Sequence, residues 1–142
     1  MPNEKFRSEV SDVRAATLRL ARRIRQQRSV THMTDSQFAV LVALHLHGPH
    51  TLTALAERDG VTAPSMNRTV NALIEHGYVS RVTDPEDRRK VQIAILEAGE
   101  QVVADTVERR DMWLSKVLEG INESERETLH RAAQIILREV HK

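Results

Sequence analysis

The chain has no cysteine. Disulfides, thiolate zinc sites and a cysteine oxidation sensor are therefore excluded, and the composition suits a reducing cytoplasm. Aromatic residues are only 3% of the 142 positions, as one Trp, one Tyr and two Phe. The core must then be built mostly from Leu, Ile, Val and Ala, which suits packed helices. No 18-residue apolar run occurs, and the N-terminus has no apolar signal-peptide core. A soluble, cytoplasmic protein with no membrane partner is expected. Gly-rich phosphate loops, G-x-S-x-G and HExxH are all missing. The acidic residues alternate with Arg and Lys along helix faces, as solvated pairs do. We expect no enzyme, and no cofactor.

Charge of one sign is also lacking overall, since the formal net charge is +1. Its distribution is uneven. Residues 1–31 carry +5, 32–60 carry −2, 61–96 carry +1 and 97–142 carry −3. The basic excess lies in the first helix and at residues 88–90.

Glycine and proline are absent from residues 5–28. Phe6, Val10, Val13, Thr17, Leu20 and Ile24 step there at three or four residues, which predicts a long amphipathic helix. At 1.5 Å per residue it spans about 36 Å. Arg22, Arg23, Arg25 and Arg28 crowd its C-terminal end, either as a solvated face matched to the helix dipole or as a secondary phosphate contact. Thr34 caps the next helix, with Asp35 and Gln37 in its first turn, and Gly48-Pro49 stops it. His50-Thr51-Leu52 suits a short edge strand. Thr53 is expected to cap a short helix, Ala54 to Arg58, with Asp59-Gly60 as the turn.

The richest stretch runs from Val61 to Gly99. Thr62 is an N-cap, and Pro64 lies in the first turn, where its missing N–H costs little. Met66, Val70, Leu73 and Ile74 make one apolar stripe. The other face carries Ser65, Asn67, Arg68 and Asn71, a mix able to read base edges in a major groove. Gly77 ends this helix, expected over Ala63–His76. Val79 to Thr83 suits a strand, Asp84-Pro85-Glu86-Asp87 a turn, and Val91, Ile93 and Ile95 alternate with polar or small residues as a half-buried strand does. Arg88, Arg89 and Lys90 then sit at or beside the hairpin tip. A helix followed at once by a basic-tipped hairpin is the pattern of a winged helix.

From Glu97 to about Glu119 glycine interrupts only at Gly99, and Val102, Val103, Val107, Met112, Trp113, Leu114 and Val117 mark a broad apolar face. Asn122 with Glu125 has the form of a capping box. Leu129, Ala132, Ala133, Ile136, Leu137 and Val140 step along a last helix. The terminal helices carry more apolar face than one short subunit easily covers, so pairing with a second subunit is expected, most simply as a two-fold dimer.

Leu52-Thr53-Ala54-Leu55-Ala56-Glu57-Arg58-Asp59-Gly60-Val61, the helix after it and Asp84-Pro85-Glu86-Asp87-Arg88-Arg89 together resemble the MarR family of bacterial transcription regulators. Leu96-Glu97-Ala98-Gly99 is similar to that family's lead-in to its next long helix. The family usually has Thr after the Leu, and Glu97 departs from this. The resemblance covers nearly the whole chain in length and element order, and the Asp-Pro-x-Asp-Arg-Arg wing is its most specific part. It implies a symmetric homodimer with one winged helix per subunit, and transcription regulated by a bound small molecule.

The expected fold is thus mainly α with a small β-wing. Residues 34–96 form a winged helix-turn-helix DNA-binding lobe, and 1–33 with 97–142 a helical dimerisation region. The expected function is a sequence-specific DNA-binding regulator, a dimeric repressor released by a small-molecule effector. Its partners are a pseudo-palindromic double-stranded operator, a second copy of itself and the effector. A winged-helix protein-interaction module and a metal-responsive regulator are the alternatives. The DNA-reading set is Thr62, Ser65, Asn67, Arg68, Asn71, Asp87, Arg88 and Arg89. Arg68 suits guanine O6 and N7, Asn67 or Asn71 suits adenine, and Arg88 suits a narrow minor groove with Asp87 holding its guanidinium. Thr62 and nearby amides suit a phosphate. In the family, effectors sit between the dimerisation helices and the winged helix. That resemblance points to Met33, Phe38, Leu41, His45, Met112 and Trp113, each with ordinary core packing as its alternative role. Of the seven His, His45 and His47 are two apart and point about 200° apart on a helix. No metal-ligand set is expected.

Overall fold

All but one of the helices of the computed structural model, which describes residues 1–141, start where a short polar side chain accepts a backbone N–H. Asn3 caps α1, Glu4–Arg25. Thr34 caps α2, Asp35–His47, and Gln37 completes a capping box. Asn122 and Glu125 do the same for α6, Glu123–Val140. The exception is α5, Glu97–Glu119, which opens instead on acidic residues that favour the helix N-terminus.

Between α2 and α5 the chain forms β1, His50–Thr51, then α3, Leu52–Asp59, α4, Ala63–Glu75, β2, Val79–Thr83, and β3, Val91–Ile95. The sheet order is β1-β3-β2, antiparallel throughout. Val79 faces Ile95 and Thr83 faces Val91, so β2 and β3 make the hairpin expected from residues 79–95. This is a winged helix in a mostly helical chain.

Residues 28–108 form one compact unit. Its core joins Leu41 and Leu44 of α2, Leu55 of α3, Met66, Val70 and Leu73 of α4, Val79, Ile93 and the start of α5 through Val102 and Val103. Fully burying each such side chain is worth roughly 1.5–3 kcal/mol. Thr106 is also buried, and its hydroxyl lies 2.8 Å from Ser29 Oγ. Residues 1–27 with 109–142 form the other unit. Neither α1 nor the described part of α6 contains a buried residue.

Three local expectations are corrected. The first helix stops at Arg25, and Gln26 is its C-cap. Arg28 lies beyond it and reaches back to the loop, donating to Met33 O at 2.8 Å and to Asp35 Oδ1 at 2.6 Å. Thr51, not Thr53, caps α3, accepting from Ala54 N at 3.1 Å. Starting the helix at Leu52 lines up Leu52, Leu55 and Ala56 at i, i+3 and i+4, all turned to the core. Leu52 therefore belongs to α3 and not to the edge strand. In β3 only Ile93 is buried; Val91, at the wing end, is 45% exposed.

Candidate nucleic-acid interface

The start of α4 is fixed by Thr62, whose Oγ1 accepts from Ser65 N at 3.2 Å, with Pro64 in the first turn. Its end is fixed by His76 as C-cap and by Gly77, at φ 76°. Burial of Met66, Val70 and Leu73 sets the rotation of the helix. Arg68 projects from the side opposite that stripe, exposed and without a hydrogen-bond partner among the described residues. Asn71 is exposed one turn from Asn67, which is half-buried, as is Ser65.

The wing tip is held by bonds within itself. Asp84 N donates to Lys90 O at 3.0 Å, and Lys90 N to Asp87 O at 2.9 Å. Asp84 Oδ1 accepts from Glu86 N at 2.8 Å. Asp87 Oδ1 accepts from Arg89 N at 3.1 Å and from Arg89 Nε at 3.2 Å. The carboxylate thus holds Arg89, not Arg88 as expected from sequence order, because the turn folds the second following residue over it. The Arg89 side chain is 92% exposed, so this pair shapes the tip and adds little stability. Arg88 is exposed, with no partner among the described residues.

One member of this surface escaped the sequence reading. Arg81, on β2, donates from Nη2 to Asn67 Oδ1 at 3.3 Å and to Asn71 Oδ1 at 2.9 Å. The signal was available in the strand period. Val79 is buried, and Arg81, two residues on, shares its face.

The six effector candidates lie in different surroundings. Met33 and Leu41 are buried in the core of the 28–108 unit, and Phe38 packs against it. His45 pairs with Glu100. In the other unit Met112 is exposed, and Trp113 has the Arg23 guanidinium over its ring, 5.5 Å from the centroid. Other histidines make ring or hydrogen-bond contacts within the 28–108 unit. His32 lies against His76 with centroids 4.4 Å apart and the rings tilted by 31°, and meets Tyr78 Oη at 3.3 Å, while His50 Nδ1 lies 2.6 Å from Gly48 O. No group of three His, Asp or Glu suited to a metal ion occurs among the described residues.

The family model for the MarR family matches residues 33–91, the span from the α2 approach to the wing. An HTH-type transcriptional regulator of Mycobacterium tuberculosis is 35% identical over 127 residues, 89% of each chain. A MarR family protein from Bacillus stearothermophilus has the same fold from end to end, with a TM-score of 0.84, 26% identity and 100% of both chains covered. This chain belongs to the MarR family. Within the MarR fold, a variant of MepR from Staphylococcus aureus, bound to an oligodeoxyribonucleotide, matches at a TM-score of 0.70 and 18% identity, over 93% of this chain and 97% of that one. The MarR match covers α2 to the wing, the same elements that carry Arg68, Arg88 and Arg89.

Proposed function

We propose that this MarR-family protein is a homodimeric, sequence-specific DNA-binding regulator. Each subunit places α4 in a major groove and the Arg88/Arg89 wing in the flanking minor groove. The observation that carries this reading is the presentation of Arg68 and Arg88, two guanidiniums without a partner among the described residues, from a capped helix and a self-bonded turn of one compact unit. Guanidiniums in such positions suit guanine edges and the negative potential of a narrow minor groove. Thr62 retains a hydroxyl proton for a phosphate while its oxygen caps the helix. Ser65, Asn67, Asn71 and Asp87 complete the proposed surface. The shared fold with a DNA-bound MepR variant supports the same role.

Dimerisation is supported by the unit built from 1–27 and 109–142. An apolar groove of about 630 Å³ there is lined by Phe6, Val10, Val13, Ile135, Ile136 and Val140. Val13 is 57% exposed and Leu137 57%. The proposed occupant is the same face of a second copy, which closes both grooves by one two-fold operation. The regulator acts in the cytoplasm as a repressor, and a small-molecule effector shifts the dimer to a lobe spacing that no longer fits the operator. His45 and Met112 are exposed and Phe38 and Trp113 half-buried, so these are the effector candidates that solvent reaches without displacing core side chains.

Hydroxyl-radical footprinting on the DNA upstream of the protein's own reading frame tests the arrangement. Two protected half-sites with centres about 34–36 Å apart are expected for a two-fold dimer. A single protected patch, or none, contradicts it.

A further inference from the structure

The Asn67 and Asn71 side chains were expected to offer both a donor and an acceptor to DNA. The surrounding geometry fixes which way each amide faces. One nitrogen of Arg81 lies 3.3 Å from Asn67 Oδ1 and 2.9 Å from Asn71 Oδ1. A guanidinium has donors only, so the amide atom facing it in each case must be the oxygen. The opposite orientation sets N–H against N–H. The two Nδ2 groups therefore turn away from Arg81, and neither has a partner among the described residues.

We propose that Arg81 is a positioning residue that decides which bases α4 reads. By holding both carboxamide oxygens, it takes one of the two lone-pair positions on each, turns the Nδ2 groups away from itself and favours acceptor-bearing base edges, guanine above all. The proposal rests on the DNA-binding reading given above. A bidentate Asn–adenine contact needs Oδ1 to accept from N6 and Nδ2 to donate to N7. The bond from Arg81 competes with the first half of that contact for the Oδ1 lone pairs and orientation. Guanine presents two acceptors, O6 and N7, whereas cytosine presents the N4 donor and repels an Nδ2–H. A bond from a cation also polarises the amides and strengthens their free N–H groups as donors. Arg81 is well placed to hold this orientation. It pairs with Ile93 in the ladder, two residues from buried Val79, so it is anchored in the sheet and not at the wing tip.

The test is binding-site selection from a randomised duplex library by the full chain, its Arg81→Ala variant and its Asn71→Asp variant, followed by anisotropy on the selected duplexes. Asn71→Asp keeps an acceptor for Arg81 but loses the donor. It is expected to move the preference at its contacted position from guanine to cytosine, which locates that position. Arg81→Ala frees the amides to turn and is expected to shift the same position from guanine towards adenine by about tenfold in relative affinity. Its urea unfolding midpoint is measured alongside. A uniform loss of affinity with the parent's base preference retained reduces Arg81 to a backbone contact or a structural residue and overturns the proposal. So does a parent that already prefers adenine there, an outcome that stands even if Arg81→Ala does not fold. Failure of the DNA-binding reading itself looks different, because the parent then enriches no sequence at all.

Discussion

Gly99 leaves no room for a side chain beside the carbonyl oxygen of Tyr78. A Cβ built there collides with that oxygen and comes within 2.8 Å of Ile95 Cγ1. The same Tyr78 oxygen accepts from Leu96 N at 2.9 Å, so the turn into α5 is clamped onto the start of β2. Gly99→Ala is expected to destabilise the chain by about 1–3 kcal/mol through overpacking. A urea unfolding midpoint equal to the parent's contradicts this.

The buried hydroxyl of Thr106 makes a second test of the same unit. It is bonded to Ser29 Oγ and is only 2% exposed. Thr106→Val keeps the shape and removes the bond, and leaves Ser29 without that partner. A loss of about 1 kcal/mol is expected by urea unfolding, with Ser29→Ala close to neutral in the Val background. Additive losses mean that the two hydroxyls do not act as a pair.

The two exposed arginines are assigned different work. Arg68→Ala is expected to cost about 1–3 kcal/mol of operator affinity and to relax discrimination at one base. Arg88→Ala is expected to weaken binding across sequences and to lower the steepness of the salt dependence by about one. Titrations of both variants against matched and mismatched duplexes check this, and parental behaviour in both removes the assignment.

Dimerisation predicts a dependence of DNA binding on the exposed face of α1 and α6. Val13→Glu and Leu137→Glu each put a charge on that face without disturbing a buried contact. Sedimentation equilibrium is expected to give a dimer for the parent and a monomer for the variants, with operator affinity lost in parallel. Monomeric parent protein, or variants that stay dimeric, contradicts the proposed interface.

Much of this architecture is legible in the sequence because its signals are local. Thr62, Pro64 and Gly77 bound α4 by capping chemistry, and the alternation around Asp84-Pro85 gives the hairpin. The misreadings come where a distant contact decides. Gln26, Gln27 and Arg28 are all compatible with helix, yet α1 ends at Arg25 with Gln26 as its C-cap, and Arg28 beyond it bonds Met33 O and Asp35. Thr51 and Thr53 are equally good caps, and the burial of Leu52 chooses between them. Asp87 precedes both arginines, and only the folded turn selects Arg89. Arg81 meets Asn67 and Asn71 across a helix–strand junction, a contact that spacing along the chain does not announce. Gly99 reads as part of a helix lead-in, and only the packing against Tyr78 shows why no larger residue fits.

The central claim is sequence-specific recognition of DNA by the α4–wing surface. Its most direct test is fluorescence anisotropy on the DNA upstream of the protein's own reading frame, beside a scrambled duplex, over a series of salt concentrations. Tight binding to the first duplex, at least about a thousandfold weaker binding to the second, and a steep fall of affinity with salt are expected. Equal, weak binding to both duplexes, or an affinity indifferent to salt, contradicts it.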